Sequence, residues 1–133
     1  RSCNQLVRAD VTTEGVEEFI RAARLMIFEQ PQDHFITVAE SDGQPVGMID
    51  IRNHSHICLF FVEPLRIGHG IGRTLLAHAI AECRTHKPDL HQVDVNSSLW
   101  ATSVYRNLGF RQTKPQQMIK GIRFVEMVKI LDE

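Results

Sequence analysis

Gly68, Gly70 and Gly72 alternate along the chain between an apolar run and the start of an amphipathic helix pattern. Glycine allows the backbone to turn tightly and to approach a ligand closely. The first turn of the helix that follows offers unpaired N–H groups and the positive end of the helix dipole. This combination is typical of a cradle for a phosphate or pyrophosphate group. The segment therefore predicts an anionic, nucleotide-like ligand.

The spacing of these glycines differs from that of two common nucleotide-binding motifs. The Rossmann fingerprint requires Gly-x-Gly-x-x-Gly, whereas the order here is Gly-x-Gly-x-Gly. The P-loop requires a lysine directly after its last glycine, and Arg73 occupies that position. The cradle thus belongs to another class of site.

Hydrophobic periodicity and turn signals predict the elements that position the cradle. Strands are expected over 6–11, 35–40, 46–52, 57–62, 92–96, 110–113 and 124–131, and helices over 14–29, 71–86 and 98–108. This order predicts an α/β fold with a mixed central sheet of about seven strands flanked by helices, in a single domain over residues 1–133. The strand–helix–strand unit over 57–96 should be parallel and right-handed.

The composition narrows the class of protein. Hydrophobic residues make up 43% and charged residues 23% of the 133 positions, which is ordinary for a soluble globular domain. A net charge of −1 argues against nucleic acid or an anionic membrane as a partner. Cys3, Cys58 and Cys83 are odd in number and form no Cys-x-x-Cys motif, so no zinc site or disulfide framework is expected. We therefore expect a cytoplasmic protein without a membrane span or signal peptide.

The glycine segment resembles the acetyl-CoA signature of the GCN5-related N-acetyltransferase (GNAT) family, Gln/Arg-x-x-Gly-x-Gly/Ala after a strand that ends in Val-x-Pro. Residues 62–64 read Val-Glu-Pro and match the strand end. Gly70 and Gly72 match the two small positions, and Gly68 is the glycine often found before them. Ile67 stands where Gln or Arg is usual, which leaves the backbone cradle intact and affects a side-chain contact at its entrance.

A second motif supports the same family. Residues 98–110 resemble its pattern Asn-x-x-Ala-x-x-x-Tyr-x-x-x-Gly-Phe, with Ala101, Tyr105, Gly109 and Phe110 in register. Ser98 replaces the usual asparagine. Two motifs in the expected order imply a GNAT-like (acyl-CoA N-acyltransferase) fold and acetyl-CoA as the co-substrate, with no metal.

The resemblance also implies where acetyl-CoA binds. In the family, the backbone at the end of the central strand pairs with the pantetheine arm, and the glycine loop holds the pyrophosphate. The predicted cofactor-binding residues are Phe60, Phe61, Val62, Gly68, His69, Gly70, Ile71, Gly72, Arg73, Thr74 and Ser98. Among them Arg73 is the candidate for a side-chain contact to phosphate, although a solvated first-turn arginine is an equally good interpretation.

The catalytic residues follow from the same resemblance. The register of Tyr105 in the second motif places its hydroxyl near the sulfur of CoA, where it can protonate the leaving thiolate. His56 ranks first as the base that takes the proton of the amine, with Glu63 and Asp50 as alternatives, and a water chain without a single base is a further possibility. His54-x-His56 is not expected to bind metal, since two ligands without a third do not make a site.

The resemblance implies an N-acetyltransferase that moves the acetyl group of acetyl-CoA to a primary amine of a small molecule or peptide. The amine would attack directly in a ternary complex, without a covalent intermediate on Cys58. Arg123, between the last two strands, is predicted to bind the acceptor, and a solvated hairpin is the alternative. A homodimer is common in the family. Two other functions stay open: a non-catalytic CoA-binding or regulatory module, and a nucleotide-binding protein of another class.

Overall fold

The structure is a computed structural model that describes residues 33–63, 66, 68 and 70–131. The predicted strand over 6–11 and helix over 14–29 lie outside these residues, as do Ile67 and His69. The described elements are β1 (His34–Ser41), β2 (Gln44–Arg52), β3 (His56–Val62), α1 (Ile71–His86), β4 (Gln92–Ser97), a 3₁₀ turn (Leu99–Ala101), α2 (Thr102–Asn107), β5 (Arg111–Gln112), β6 (Gln117–Ile119) and β7 (Ile122–Ile130).

The described strands form a mixed sheet of seven, which confirms the predicted fold class, although this set includes β6, which was not predicted, and not the strand predicted over 6–11. Their order is β1-β2-β3-β4-β7-β5, and β6 pairs with β7 outside this path. β3 and β4 are parallel because α1 carries the chain back across the sheet between them, whereas the other neighbours are antiparallel. β6 lies in a segment predicted as a plain connection. Its three residues are all exposed, so no burial pattern marks them as a strand.

Two of the described hairpins have two-residue turns, and a third, between β2 and β3, turns through residues 53–55. Asp42 and Gly43, between β1 and β2, have φ angles of 52° and 78°. Lys120 and Gly121, between β6 and β7, have φ angles of 51° and 81°. A pair of positive φ angles matches the twist of two-residue hairpins, and glycine in the second position removes most of the strain. The first turn was predicted from its sequence. The second turn allows residues 117–119 to fold back and pair with β7 as β6.

α1 lies against one face of the sheet, where the apolar residues of β2, β3, β4 and β7 form the core. Ile49, Ile51, Ile57 and Phe60 contribute to this core together with Leu75 of α1. The opposite face of β2 is buried as well, at positions 46, 48 and 50. Neither of the described helices has the length and apolar content to span a bilayer.

α1 packs tightly against the sheet at Gly47. A Cβ atom there would lie 2.9 Å from Leu75 Cδ1 and 3.1 Å from the carbonyl oxygen of Phe61. The first distance is shorter than real Cβ contacts and the second is shorter than most of them, so a side chain at this position would require Leu75 or the neighbouring backbone to shift. Gly47 therefore lets the first turns of α1, which follow the cradle, pack closely on β2.

Candidate active site

The parallel strands β3 and β4 separate in the middle of the sheet. In the described ladder they pair at His56↔Asp94 and Ile57↔Val95. Beyond these two pairs β3 continues to Val62 alongside β2, and β4 continues to Ser97 alongside β7. Strand edges that leave a ladder offer N–H and C=O groups to an extended ligand. The separation therefore makes a binding cleft at the carboxyl ends of both strands.

The glycine cradle follows β3 at this same end of the sheet. Gly70 is the N-cap of α1 with a φ of 81°, and Gly68 has a φ of 93°. A Cβ at either glycine would meet nothing within 4 Å, so glycine is required by the backbone conformation while the space in front of the helix is open. All first-turn residues of α1 are described, and none of them is acidic. The cradle fits an anionic group at a helix N-terminus.

Gly72 has a different role from the other two glycines. It lies within α1, and a Cβ there would be 3.5 Å from Val62 Cγ2 and 3.6 Å from Phe60 Cζ, which are ordinary contact distances. The prediction that all three glycines shape the cradle is thus supported by backbone conformation at Gly68 and Gly70 alone. Gly72 instead marks where α1 rests on β3.

A cavity of about 390 Å³ lies beside the cradle, between β1 and α1. Its lining consists of Thr37, Val38, Ala39, Gly70, Ile71, Thr74, Leu75 and His78. Three of these, Gly70, Ile71 and Thr74, are predicted cofactor residues. The cavity opens on the flank of α1 toward β1, and the residues of β1 that line it were not expected at the site.

Ser98 and Arg73 are the predicted cofactor residues with informative polar groups. Ser98 follows β4, and its Oγ is shielded from solvent without a hydrogen-bond partner among the described residues. A buried hydroxyl without a partner is costly, and a ligand contact would remove that cost. Arg73 instead donates a hydrogen bond from Nη2 to the carbonyl oxygen of Asn107 at 2.8 Å, which links the first turn of α1 to the end of α2.

Tyr105 is fully buried beneath the central strand. Its ring packs edge-on against Phe110, with centroids 5.2 Å apart, and lies 6.2 Å from the ring of Phe60. Phe60 belongs to the part of β3 that borders the cleft. The second motif therefore brings Tyr105 next to the predicted cofactor strand, and the role of its hydroxyl stays a prediction.

His56 has a carboxylate partner that the sequence did not reveal. It lies opposite Asp94, and its Nδ1 is hydrogen-bonded to Asp94 Oδ1. The side chains are 17% and 36% exposed, so solutes can reach the pair. Because Nδ1 donates to the carboxylate, Nε2 is the ring atom left to accept a proton. His–Asp pairs of this kind fix the tautomer and orientation of a general base.

The two alternative bases are engaged elsewhere. Glu63 follows β3, and one of its carboxylate oxygens lies 3.7 Å from Arg66 Nε. Asp50 is completely buried, and both of its carboxylate oxygens accept from His34 Nδ1, at 2.7 and 2.9 Å. His34, at the start of β1, was not among the predicted site residues. Its pairing with Asp50 depends on the register of β1 and β2, which the sequence does not show.

The cysteines differ from expectation. Cys58 is disulfide-bonded, so the expectation that the cysteines would not form disulfides as a framework is wrong for this cysteine. Pairing depends on tertiary proximity, which cysteine spacing does not reveal. Cys83 is a free, buried thiol, and burial, with a smaller contribution from the charge of Glu82, raises its pKa from 9.0 to about 11.

The described residues do not present a ready metal site. Ligand atoms of His34, Asp50 and Cys58 lie within 4.8 Å of one another. The sulfur of Cys58 is used in its disulfide, however, and His34 Nδ1 is used by Asp50. His54 stacks on His86, with ring centroids 5.3 Å apart, while His56 binds Asp94. The motif His54-x-His56 therefore does not converge on one point.

Arg123 lies on the hairpin formed by β6 and β7. It stands opposite Met118, and both side chains are exposed. Because Val125 of β7 pairs with Ser97, the last residue of β4, the hairpin extends beyond the carboxyl end of β4. Arg123 therefore lies at the end of the sheet where the cleft opens, and its role in binding the acceptor stays a prediction.

Solved structures of acetyltransferases have the same fold. A GCN5-related N-acetyltransferase structure from Rhodopseudomonas palustris aligns with a TM-score of 0.67 and 21% identity, over 90% of this chain and 77% of that one. A Bacillus anthracis protein assigned as a streptothricin acetyltransferase, solved in complex with acetyl coenzyme A, aligns with a TM-score of 0.65 and 16% identity, over 77% of this chain and 65% of that one.

A ribosomal-protein-alanine N-acetyltransferase from Brucella melitensis aligns with a TM-score of 0.57 and 26% identity, over 87% of this chain and 78% of that one. A search of curated proteins returned no match. The sequence profile of the acetyltransferase (GNAT) domain matches residues 7–131. Since the profile spans nearly the whole sequence and the two motifs fall on the expected elements, the chain belongs to the GNAT acetyltransferase family.

Proposed function

We propose that this protein is an acetyl-CoA-dependent N-acetyltransferase that acetylates a primary amine of a small molecule or peptide. The observation that carries the proposal is the cleft between β3 and β4, which leads directly to the glycine cradle at the N-terminus of α1. An extended amide-containing arm fits the strand edges, and a pyrophosphate fits the helix terminus. CoA combines these two features in one molecule.

The residues that would hold acetyl-CoA are those of β3 and the cradle. The edge of β3 from Phe60 to Val62 would pair with the pantetheine amides, and Gly70 to Thr74 would receive the phosphates. Ser98 Oγ would gain the hydrogen bond that it lacks among the described residues. When bound, the thioester supplies an activated acetyl group, and backbone N–H groups directed at its carbonyl oxygen stabilise the charge that develops there.

The proton steps are assigned to the chain's own side chains. The acceptor amine is mostly protonated at neutral pH, so His56 would accept a proton at Nε2 while Asp94 holds the ring. The neutral amine then attacks the thioester carbon directly within a ternary complex, the C–S bond breaks, and the new amide nitrogen loses its extra proton to water. Tyr105 would donate a proton to the departing sulfur. Its ordinary pKa of about 10 exceeds that of a thiol, about 8.5, so this donation is partial unless the site lowers the difference.

The acceptor would approach the cleft from the side of the β6–β7 hairpin. Arg123 and Met118 are exposed there and suit a molecule with both an acidic and an apolar part. The related structures named above carry different acceptor names, a streptothricin and a ribosomal-protein alanine, so they do not choose between a small molecule and a peptide.

Two measurements test the proposal. In thermal melting, acetyl-CoA at a hundredfold excess over Kd should raise the free energy of unfolding by about 2.7 kcal/mol. ATP should leave the melting temperature unchanged. Release of free CoA thiol should then be followed across a panel of amines. Binding without turnover of any amine would favour the non-catalytic module. A shift with ATP but not with acetyl-CoA would favour a nucleotide-binding protein of another class.

A further inference from the structure

A half-buried arginine lies on the face of the sheet away from α1. Arg52 ends β2 and stands directly opposite His34 of β1 and His56 of β3. Directly opposed residues of neighbouring strands share one face. Ile51, the residue before Arg52, belongs to the core under α1, and successive strand residues point to opposite faces. Arg52 and the two histidines therefore form a row on the other face.

The nearest carboxylates in the ladder are already bound by histidines. Asp50 accepts two hydrogen bonds from His34, and Asp94 is bonded to His56. Within the part of the chain that the structure describes, no carboxylate forms an ion pair with Arg52. Its Nε is shielded from solvent and has no hydrogen-bond acceptor there. Arg52 thus differs from exposed arginines such as Arg123, whose donors water can satisfy.

A guanidinium nitrogen that is shielded and unbonded is unfavourable, and folded proteins rarely keep such a group without a use. The planar guanidinium matches a carboxylate with two parallel hydrogen bonds, which a lone histidine or lysine cannot provide. An anion with two oxygens would therefore complete the bonding of Arg52.

The position of Arg52 identifies which bound molecule would carry that anion. Arg52 is level with His56, the first residue of β3, whereas the cradle follows Val62, the last one. At about 3.3 Å per residue, the seven residues of β3 separate the two places by roughly 20 Å. Phosphates held in the cradle would therefore be too far from Arg52 to contact its guanidinium group. His56, which belongs to the row, directly precedes Ile57, the last residue of β3 that pairs with β4. The row therefore lies where the two strands separate, and there His56 would receive the proton of the amine.

We infer that Arg52 binds a carboxylate of the acetyl acceptor, so that the acceptor class is amines that also carry a carboxyl group. This inference rests on the proposed function, because it assigns the acceptor of the same site. Arg52 acts as a specificity residue: it positions the acceptor by its acid group while His56 faces its amine.

The test compares matched amines that differ in the carboxylate. The pairs are lysine and cadaverine, ornithine and putrescine, and phenylalanine and phenethylamine. Wild type should show a kcat/KM about 10- to 100-fold higher for the carboxylate-bearing member, the range expected for charge-assisted hydrogen bonds. Arg52→Gln should reduce this ratio to about one, and Arg52→Lys should keep part of it. Arg106→Gln, which removes an exposed charge on α2, should leave the ratio at the wild-type value.

A second measurement does not depend on turnover or on a variant. Calorimetry with wild type and CoA should show binding of Nα-acetylphenylalanine and weaker binding of its methyl amide. If no amine turns over, the proposed function fails. If amines turn over without a carboxylate preference, or if the preference survives in Arg52→Gln, the assignment of Arg52 is overturned and the enzyme activity stands. A preference abolished by Arg123→Gln instead would move the acid-binding role to the hairpin.

Discussion

His56 and Asp94 face each other across β3 and β4, in one of the two residue pairs that join these parallel strands in the described ladder, and their side chains are hydrogen-bonded. The residue pair that positions His56, the candidate base, thus lies next to the point where the cleft between β3 and β4 begins. Strand pairing thus holds the carboxylate of Asp94 in place against the imidazole of His56.

Asp94→Asn should lower kcat and leave the affinity for acetyl-CoA unchanged. The amide can no longer accept a charge-assisted hydrogen bond from Nδ1, so the ring loses its fixed tautomer, at a cost of about 1.5–3 kcal/mol, or roughly 10- to 100-fold in rate. Steady-state kinetics on the best amine would measure this. Asp89→Asn, at an exposed turn, is the matched control for the change in charge. In a His56→Ala background Asp94→Asn should have no further effect, and an additive loss there would contradict the pair.

Gly70→Val should abolish the melting shift produced by acetyl-CoA. The valine would project into the open space before α1, where we place the phosphates. Gly43→Val is a matched control, because Gly43 has a φ of 78° and equally open surroundings in a distant hairpin turn. Both variants should lose about 1–2 kcal/mol from left-handed backbone strain. A folded Gly70→Val protein with the normal shift would show that the cradle lies elsewhere.

Tyr105→Phe should reduce kcat by about 10²- to 10⁴-fold, the range of general acid catalysis, with little change in acetyl-CoA affinity. The phenyl ring keeps the edge-on contact with Phe110, so the thermal midpoint should stay near that of wild type. Rapid-mixing or steady-state assays with the identified acceptor would measure the loss. Unchanged turnover would make Tyr105 a packing residue of the core.

Gly47→Ala should destabilise the fold by about 1–3 kcal/mol, because the added methyl group crowds Leu75 and the backbone of β3, which must shift to make room. Gly72→Ala is the comparison, since its Cβ would make ordinary contacts and alanine favours a helix by about 1 kcal/mol. Urea unfolding followed by circular dichroism gives both values. Equal stability of the two variants would contradict the described packing of α1.

Cys83 should resist alkylation in the folded protein at pH 8. The thiolate is the reactive form, and a pKa raised to about 11 leaves the thiol protonated at that pH. The raised pKa also means that the folded state holds this proton more tightly than the unfolded state. The resulting stability is present below about pH 9 and is lost as the pH rises toward 11. Peptide mapping after iodoacetamide treatment, with and without urea, would detect any labelling of the native thiol.

The sequence predicts local features of this protein well. The glycines with positive φ, the Asp42-Gly43 turn and the central parallel unit follow from residue type and spacing over short stretches. The side-chain pairs on the sheet face do not. Asp94 is 38 positions from His56, and only strand order and register place them side by side. β6 was missed for a related reason, since exposed residues carry no alternation of burial.

The narrow join between β3 and β4 has a mechanical consequence. The sheet consists of two groups of strands, β1-β2-β3 and β4-β7-β5. In the described ladder, two residue pairs between β3 and β4 join these groups at one end. A ligand that hydrogen-bonds to the unpaired edges of both β3 and β4 would bridge the two groups of strands beyond the last residue pair. Ligand binding would then reduce the movement of the two groups of strands relative to each other, and amide hydrogen exchange at Ile57 and Val95 would slow.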